Sequence, residues 1–512
     1  MLCILRKNAR TMNALVSVLL ATTISVNVAK VEHQYDAHES QKLVPMLSEV
    51  LRFPTVAGSD DARRDQQSWL LRTAKDLGFV ARDAGLVTEI ELPASTANAP
   101  ILGLMVHGDV QPVDADAWSF PPFAGSVDGG FVYGRGAADD KGPLVQALLA
   151  MKALADSGIK RTHTIRLLVG SDEESGSTDM AEYLKSHQPP DYSLVLDSEF
   201  PVVVGEKAWN SLTLSEPLGE RGENTKPYVV SKLTAGLAAS IVPDSAEIDL
   251  RTTQSTVNWD ELDASLRSFT LPEGRRLATQ ANGDTIRIVV YGKSAHAGVN
   301  LLGGRNAIVG LAQLMEGRLP RGGADDLLAF VRIAGQDLYG TGLGITDNDP
   351  LWGRYAVNIA TIKTDPDNEK NTQLTINIRS IPPLTGEQLK AKLDAFVADF
   401  AAKRGATIAT GGYYGDKTLA FDPNAKLVRR LLDDYAKATG TRAKPAISGG
   451  GTYAKRLPNA IAFGMWFPGR PYPGHDVDEK ISIEDLQKGA RVLIYALTDL
   501  ATGKKIEQPF KP

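Results

Sequence analysis

Acidic and histidine side chains follow several apolar runs of this chain. His107 and Asp109 stand in "LMVHGDVQPVD", directly after the run "PILGLMV", in a chain that has only seven histidines. Glu173 and Glu174 follow "TIRLLVGSD", and Asp197 follows "YSLVL". Each position alone suits ordinary architecture, such as a polar strand end or a solvated turn. Their repetition is what points to chemistry.

Two more clusters extend this pattern. Asp139 and Asp140 lie in "GRGAADDKG" before a helical stretch, where either could cap the helix, and His475 lies in the Pro- and Gly-rich "YPGHDVDE". Like charges gathered at one place repel one another unless cations neutralise them. The only cysteine is Cys3, so the available ligands are imidazole and carboxylate, which suit Zn²⁺, Mn²⁺ or Co²⁺. The pattern predicts a divalent metal site.

The apolar runs that precede these acids alternate with helical stretches. Strand candidates "ILGLMVHGD", "HTIRLLVGSDEE" and "YSLVLDSEF" are separated by the helices "PLVQALLAMKALADSG" and "TDMAEYLKSH". Continuous apolar strands between helices predict an α/β domain, with a mostly parallel sheet covered by helices on both faces. Ligands bind such sheets at the carboxyl ends of the strands, which is where the acids fall.

The pattern changes in the middle of the chain. After about Trp209, alternating segments such as "DTIRIVVYGKSAHAG" and "QLTINIRSIPP" indicate half-exposed antiparallel strands. The α/β pattern returns at "NAKLVRRLLDDYAKATG" and continues through the last helix. We therefore expect an inserted α+β domain at 209–416, the lid, which divides a catalytic α/β domain into the segments 30–208 and 417–512.

The first 29 residues differ from the rest. Arg6, Lys7 and Arg10 precede the uncharged run "TMNALVSVLLATTISVNVA", as in a secretory signal peptide; a retained anchor or a start at Met12 are the alternatives. We expect cleavage near Ala29 and a secreted, periplasmic protein with no membrane contact afterwards. The net charge of −5, without Lys/Arg blocks, argues against a nucleic-acid partner and favours small molecules or peptides.

An ordered set of motifs resembles one family. From about Leu43 to the last helix, the chain is similar to the M20 family of dinuclear metallopeptidases, and most of all to the dipeptidase branch that includes PepV and the carnosinases. The motifs are, in chain order, "HGD", "GRGAADDKG", "EESGS", "DSEFP", "GKSAHAG", "INIRS", "SGGGTYAKRLPNAIAFGMWFPG" and the late "GHD".

The resemblance implies a set of ligands for two divalent ions, zinc in the first place and manganese or cobalt as alternatives. It makes Asp139 the carboxylate that bridges the two ions. His107 and Asp197 would complete one site, and Glu174 and His475 the other.

The same resemblance implies roles around the ions. The Asp109 carboxylate would lie behind His107 and fix its tautomer, and Glu173 would be the general base for an activated water. In the lid, His296 would stabilise the oxyanion, and Arg379 would bind the C-terminal carboxylate of the substrate.

A glycine-rich loop and one departure complete the resemblance. Backbone amides of Gly450, Gly451 and Thr452 in "SGGGTY" would approach the carboxylate end of the substrate. Ser240 stands before "IVP", where we expect relatives to carry a larger amide side chain, so one lid contact differs here.

The resemblance leaves three functions to compare. A secreted dipeptidase for dipeptides or very short peptides is the first, and Asp197 favours it over a carboxypeptidase or an N-acyl-amino-acid deacylase of the same family. A non-catalytic periplasmic peptide-binding protein is the third, and the intact Glu173 argues against it. The long lid is similar to the PepV arrangement, in which one chain completes its own site, so we expect a monomer rather than a homodimer.

Overall fold

The computed structural model describes residues 24–222, 225–253, 257–364, 371–472 and 474–512. Most of the predicted leader lies outside these residues, so the leader and its removal stay predictions. Residues 24–34 form a helix, α1, and Val31 on this helix is buried in the main core. Within the described residues, no helix combines the length and the apolar character that crossing a bilayer requires.

The first part of the chain alternates strands and helices. The helices are α2 (Leu43–Val50), α3 (Asp60–Asp76), α4 (Lys141–Asp156) and α5 (Thr178–Tyr183). The strands are β1 (Val80–Ala84), β2 (Val87–Leu92), β3 (Ile101–His107), β4 (Ser126–Asp128), β5 (Phe131–Tyr133), β6 (Thr164–Gly170), β7 (Tyr192–Val195), β8 (Ser198–Glu199) and β9 (Val203–Glu206).

The middle part has longer strands. They are β10 (Ala208–Glu216), β11 (Tyr228–Ala235), β12 (Ser245–Thr252), β13 (Arg276–Asn282), β14 (Thr285–Tyr291), β15 (Asn348–Asp349), β16 (Gly353–Arg354), β17 (Ala356–Thr364), β18 (Thr372–Ser380) and β19 (Ala409–Gly415). The helices are α6 (Trp259–Arg267), α7 (Ala307–Leu314), α8 (Gly323–Ala334) and α9 (Gly386–Arg404).

The last part returns to the first sheet. Its strands are β20 (Leu419–Ala420), β21 (Ala446–Ser448), β22 (Ala460–Ala462), β23 (Met465–Trp466) and β24 (Lys480–Ser482), and its helices are α10 (Lys426–Thr439) and α11 (Ile483–Thr502).

The first sheet has the order β1-β2-β6-β3-β7-β22-β9-β20, and β21 also pairs with β9. The predicted α/β class is confirmed. The sheet is mixed: β6, β3, β7 and β22 pair in parallel, whereas the outer strands β1, β2 and β20 pair antiparallel. Leu104 and Val106 pack towards α4 and α11, and Met105 between them packs towards Tyr183 of α5. Alternate side chains of one strand are thus buried on opposite faces.

The second sheet belongs to the lid and has the order β13-β14-β12-β11-β17-β18-β10-β19. Its neighbouring strands pair antiparallel, and β10 alternates buried and half-buried residues, as a sheet with one covered face requires. Helices α7, α8 and α9 cover that face in a core of their own. Helix α9 begins with a capping box between Thr385 and Gln388. The predicted bounds of the lid, 209 and 416, fall at the second residue of β10 and directly after β19.

Candidate active site

The parallel strands bring the acids to one edge of the first sheet. His107 is the last residue of β3 and lies opposite Gly170, the last residue of β6. Glu173 and Glu174 follow β6 within one turn, and Asp197 follows the end of β7. These side chains converge because the register aligns the carboxyl ends of the three strands.

Asp139 lies at the centre of the cluster. Its Oδ1 is 2.8 Å from His107 Nε2, and its Oδ2 is 3.2 Å from His475 Nε2. Asp197 Oδ2 lies 3.9 Å from the same nitrogen of His107, and Glu174 Oε1 lies 3.0 Å from Nε2 of His475. The structure thus brings together all the side chains that the sequence predicts as ligands, with each oxygen of Asp139 facing a different imidazole.

The donor set fits divalent metal ions. Candidate ligand atoms lie within 4.8 Å of one another in the groups His107–Asp139–Glu174 and His107–Glu173–Asp197. Burial and the neighbouring Asp139 carboxylate raise the pKa of Asp197 well above its usual value. Carboxylates this close tolerate one another when cations lie between them. Imidazole and carboxylate without thiolate are ligands that Zn²⁺, Mn²⁺ and Co²⁺ accept.

The structure corrects the predicted role of Asp109. His107 Nδ1 is 2.9 Å from the carbonyl oxygen of Asp109 but 3.6 Å from its carboxylate. The carbonyl therefore accepts the Nδ1 hydrogen and leaves the Nε2 lone pair free for a metal. The Asp109 carboxylate instead accepts the backbone N–H groups of Glu173, at 3.1 Å, and Glu174, at 2.9 Å. It holds the turn that carries both glutamates.

Asp140 also differs from the simple expectation of a helix cap. Its side chain makes no capping hydrogen bond to helix α4. Oδ2 of this buried carboxylate accepts the backbone N–H of His107 at 3.1 Å. Asp140 therefore ties the end of β3 to the loop that carries Asp139.

His296 of the lid lies against the candidate metal ligands of the same chain. Its ring centroid is 4.3 Å from that of His475. The backbone N–H groups of Gly298 and Val299 both donate to its Nδ1 at 3.0 Å, so the neutral ring carries its hydrogen on Nε2. Burial, and then the charges of His475 and Arg379, lower its pKa well below the usual value. His296 is a neutral hydrogen-bond donor in this setting.

The loop that carries His296 touches the glycine-rich loop of the first domain. A Cβ on Gly449 would lie 1.9 Å from the carbonyl oxygen of Gly298, and one on Gly298 would lie 2.5 Å from the carbonyl oxygen of Gly449. Backbone oxygens cannot yield at such distances, so only glycine fits at both positions. This contact closes the lid onto the first domain beside His296.

The glycine-rich loop differs in part from its predicted role. Gly450 N–H donates to Ser448 Oγ at 3.0 Å, and Thr452 donates to Glu206 through both its N–H, at 3.2 Å, and its hydroxyl, at 2.7 Å. The amides of Gly450 and Thr452 thus have buried acceptors within the protein, so they are not held free for a substrate carboxylate. That contact stays a prediction for Gly451.

Arg379 is a buried cation on strand β18. Its Nε donates to Asn377 Oδ1 at 3.0 Å, and its guanidinium lies 6.0 Å from the ring centroid of Trp209. Burial lowers the pKa of Arg379 to about 10, which leaves it charged at neutral pH. The carboxylates of Asp416, Glu173 and Glu206 favour its charged form, and Asp416 is itself paired with Lys455 at 3.0 Å. A buried guanidinium of this kind suits a bidentate contact with an anionic ligand.

Comparison with known proteins decides the family. The model of peptidase family M20/M25/M40 matches residues 103–499. The chain belongs to the M20 peptidase family. It is therefore a metallopeptidase, as the sequence predicts.

Several relatives of this M20 peptidase are dipeptidases by name. The chain is 30% identical over 402 residues to the putative dipeptidase YtjP of Bacillus subtilis (strain 168), covering 78% of this chain and 83% of that protein. It is 28% identical over 463 residues to the Beta-Ala-Xaa dipeptidase of Lactobacillus delbrueckii subsp. lactis, covering 89% and 92%. The structure of human carnosine dipeptidase 1 shares the fold, with a TM-score of 0.60 and 14% identity over 92% of this chain and 98% of that one.

Sequence reasoning missed one residue that organises the candidate metal ligands. Glu479 is fully buried, and its Oε1 accepts the backbone N–H groups of Gly136, Ala138 and Asp139 at 2.9–3.2 Å. Its Oε2 pairs with Arg135 at 2.7 Å. Glu479 therefore shapes the loop that presents Asp139. Its place four residues after His475 is the only signal of this role in the sequence.

Proposed function

We propose that this M20 peptidase is a dinuclear metallodipeptidase that hydrolyses dipeptides and very short peptides with two free ends. The observation that carries the proposal is the position of Asp139, whose two carboxylate oxygens face the Nε2 atoms of His107, at 2.8 Å, and His475, at 3.2 Å. A carboxylate shared in this way, with further acids beside each imidazole, is suited to bridge two cations.

The residues divide into two ligand sets. Asp139 with His107 and Asp197 would hold one ion, and Asp139 with His475 and Glu174 the other. When bound, such ions lower the pKa of a water between them and polarise the scissile carbonyl. Zinc is the first candidate, and manganese and cobalt are the alternatives.

We assign the role of general base to Glu173. Its carboxylate lies in one group with His107 and Asp197, whose candidate ligand atoms lie within 4.8 Å of one another. Burial, and then the Glu174 carboxylate, raise its pKa well above the usual value, while His107 lowers it. A carboxylate of raised pKa can take a proton from the attacking water and pass it to the leaving amine. Glu174 beside it acts as a ligand.

The lid binds the scissile carbonyl oxygen and the carboxylate of the substrate. His296 offers an Nε2–H to the negative oxygen that develops on the scissile carbonyl, and Arg379 offers its guanidinium to the substrate carboxylate. Because His296 lies against His475 of the same chain, one chain would supply the whole site. We therefore infer a catalytically complete monomer. From the leader sequence we also propose secretion to the periplasm.

The test compares substrates that differ only at their ends. Ala-Ala should be hydrolysed well by the metal-loaded protein, whereas N-acetyl-Ala-Ala and Ala-Ala-amide should each lose kcat/KM, because a buried charge left without its partner costs about 2–5 kcal/mol. Each further residue adds roughly 3.3–3.6 Å between the charged ends, so longer peptides should react poorly.

Three outcomes would change the proposal. Preference for the N-acetylated substrate would make the protein a deacylase or a carboxypeptidase. Full activity in a demonstrably metal-free preparation would end the dinuclear mechanism. Tight binding of dipeptides by the metal-loaded protein without turnover would make it a peptide-binding protein.

A further inference from the structure

The side chain of Gln111 joins a candidate metal ligand to the lid. Gln111 is 1% exposed and lies in the loop after β3. Its Nε2 is 2.8 Å from Glu174 Oε2 and 3.1 Å from Ser240 Oγ. The other oxygen of Glu174, Oε1, faces His475. The amide of Gln111 therefore holds one carboxylate oxygen of Glu174, while the other oxygen points towards the candidate metal ligands.

The orientation of the Gln111 amide follows from its neighbours. Glu174 Oε2 can only accept a hydrogen bond, and the carbonyl oxygen of Glu174, at 3.3 Å from Nε2, is a third acceptor. The opposite orientation would bring the amide oxygen against a carboxylate. The NH₂ group must therefore face this cluster, and its two hydrogens serve the metal ligand and the lid together.

The backbone around Ser240 is hydrogen-bonded to the segment that carries His296. The carbonyl oxygen of Ser240 accepts the backbone N–H of Ala297 at 2.8 Å. The next residue, Ile241, forms an antiparallel bridge with His296. The segment that Gln111 touches is thus hydrogen-bonded to the segment that delivers the predicted oxyanion donor. The side chain of Ser240 is short. The hydrogen bond between the two domains therefore depends on the longer side chain of Gln111, which extends from the first domain.

We propose that Gln111 is a positioning residue that links the metal site to the closed lid. Through Oε2 it orients Glu174 towards the ion at His475, and through Ser240 it holds the lid strand that carries His296. Metal binding and lid closure then favour one another, since each orders the same amide. The effect on His296 rests on the proposed peptidase function, whereas the effect on Glu174 concerns metal binding alone.

The test separates the two halves of the link. Gln111→Leu removes both donors at similar volume, and Ser240→Ala removes only the lid acceptor. Gln146→Leu is the matched control, because Gln146 is a similarly buried amide whose hydrogen bond, to the Leu486 carbonyl at 2.6 Å, joins α4 to α11 and involves no lid residue. Zn²⁺ affinity is measured by competition with a chromophoric chelator, and kcat and KM for Ala-Ala are measured at saturating Zn²⁺.

Gln111→Leu should weaken the affinity for one of the two Zn²⁺ ions by about 10–100-fold, the usual effect of losing a partner that orients a ligand. Ser240→Ala should keep that affinity and lower kcat. The double variant should have the same kcat as Gln111→Leu, because both substitutions remove the same hydrogen bond between Gln111 and Ser240. Gln111→Met, measured in parallel, gives the same readouts should the leucine variant fold poorly.

Zn²⁺ affinity and kcat equal to those of the Gln146→Leu control would overturn the proposal. Independent, multiplying losses of kcat in the double variant would overturn the link to the lid. If the wild-type protein binds Zn²⁺ but does not hydrolyse dipeptides, the proposed function fails, and the affinity change in Gln111→Leu still decides whether Gln111 orients Glu174.

Discussion

The two sides of the site hold their functional groups by different means. On the strand-end side, buried carboxylates fix the backbone that carries the ligands: Asp109 binds the turn of Glu173 and Glu174, and Glu479 binds the loop of Asp139. On the lid side, His296 is held by amides of its own loop, which meets Gly449 at a contact that tolerates no side chain. The first side is preorganised, and the second depends on an approach of two segments.

The two sides also differ in charge. Carboxylates dominate at the strand ends, whereas the lid contributes the cation Arg379 and the neutral His296. Metal ions and a free amine suit the first side, and a carboxylate suits the second. Changes on the strand-end side should therefore act on metal content and the chemical step, while changes on the lid side should act on substrate binding and closure.

The largest effect is expected from Glu173→Gln. Glutamine keeps the size of the side chain but cannot accept the water proton, so kcat should fall by at least about 10²–10⁴-fold while metal content stays normal. Steady-state kinetics and metal analysis on the same preparation check this. Glu174→Gln is the control, since it should lose metal. A Glu173→Gln variant with near-normal kcat would remove Glu173 from the role of base.

On the lid side, His296→Ala should lower mainly kcat, whereas Arg379→Ala should also change KM. Loss of an oxyanion donor typically lowers kcat by about 10²–10³-fold with little change of KM. Loss of Arg379, which would bind the substrate before and during reaction, should raise KM at least as strongly as it lowers kcat. Kinetics with Ala-Ala distinguish the two patterns. Unchanged kinetics in both variants would mean that the lid does not take part in the reaction.

Gly449→Ala tests closure without placing the new methyl group against His296. The added Cβ would meet the carbonyl oxygen of Gly298 at 1.9 Å, so the lid should close incompletely and kcat/KM should fall by roughly 10–100-fold at unchanged metal affinity. Gly219→Ala is the matched control, because a Cβ there meets no atom within 4 Å. Equal kcat/KM in the two variants would show that the Gly298–Gly449 contact is dispensable.

The smallest effect concerns stability beneath the glycine-rich loop. Burial raises the pKa of Glu206 from 4.5 to about 7, although Lys455 and Thr452 lower it and Asp416 raises it further. The folded state therefore keeps a proton that the unfolded state releases. As pH rises from about 4.5 to about 7, the wild-type protein should lose about 3 kcal/mol of unfolding free energy relative to Glu206→Gln, and no more above that range.

Denaturant unfolding of both proteins at several pH values, each saturated with the same metal, measures this difference. Glutamine also changes the hydrogen bonds to Thr452, which shifts stability by a constant amount. The pH slope is therefore the informative quantity. Identical slopes in the two proteins would show that Glu206 is ionised in the folded state throughout this range.

The sequence by itself determined the α/β class, the inserted lid segment and the set of candidate metal ligands. The class and the lid follow from local patterns, and the ligand set follows from the resemblance of the ordered motifs to the M20 family. Apolar runs such as the one before His107 form central strands, and parallel strands end at a common edge, so a side chain at each end meets its counterparts. The lid is likewise recognisable in the sequence, because apolar and polar residues alternate along its strands.

Only the tertiary structure decided how those ligands are held. The choice of the Asp109 carbonyl over its carboxylate as the partner of His107 rests on a difference between 2.9 and 3.6 Å, which residue types do not encode. Glu479 and Asp139 lie 340 positions apart, and Gln111 and Ser240 lie 129 apart. The first contact depends on how the two segments of the catalytic domain pack together, and the second on how the lid lies against that domain. Hydrogen bonds require positions accurate to a few tenths of an ångström, and chain order carries no such distance.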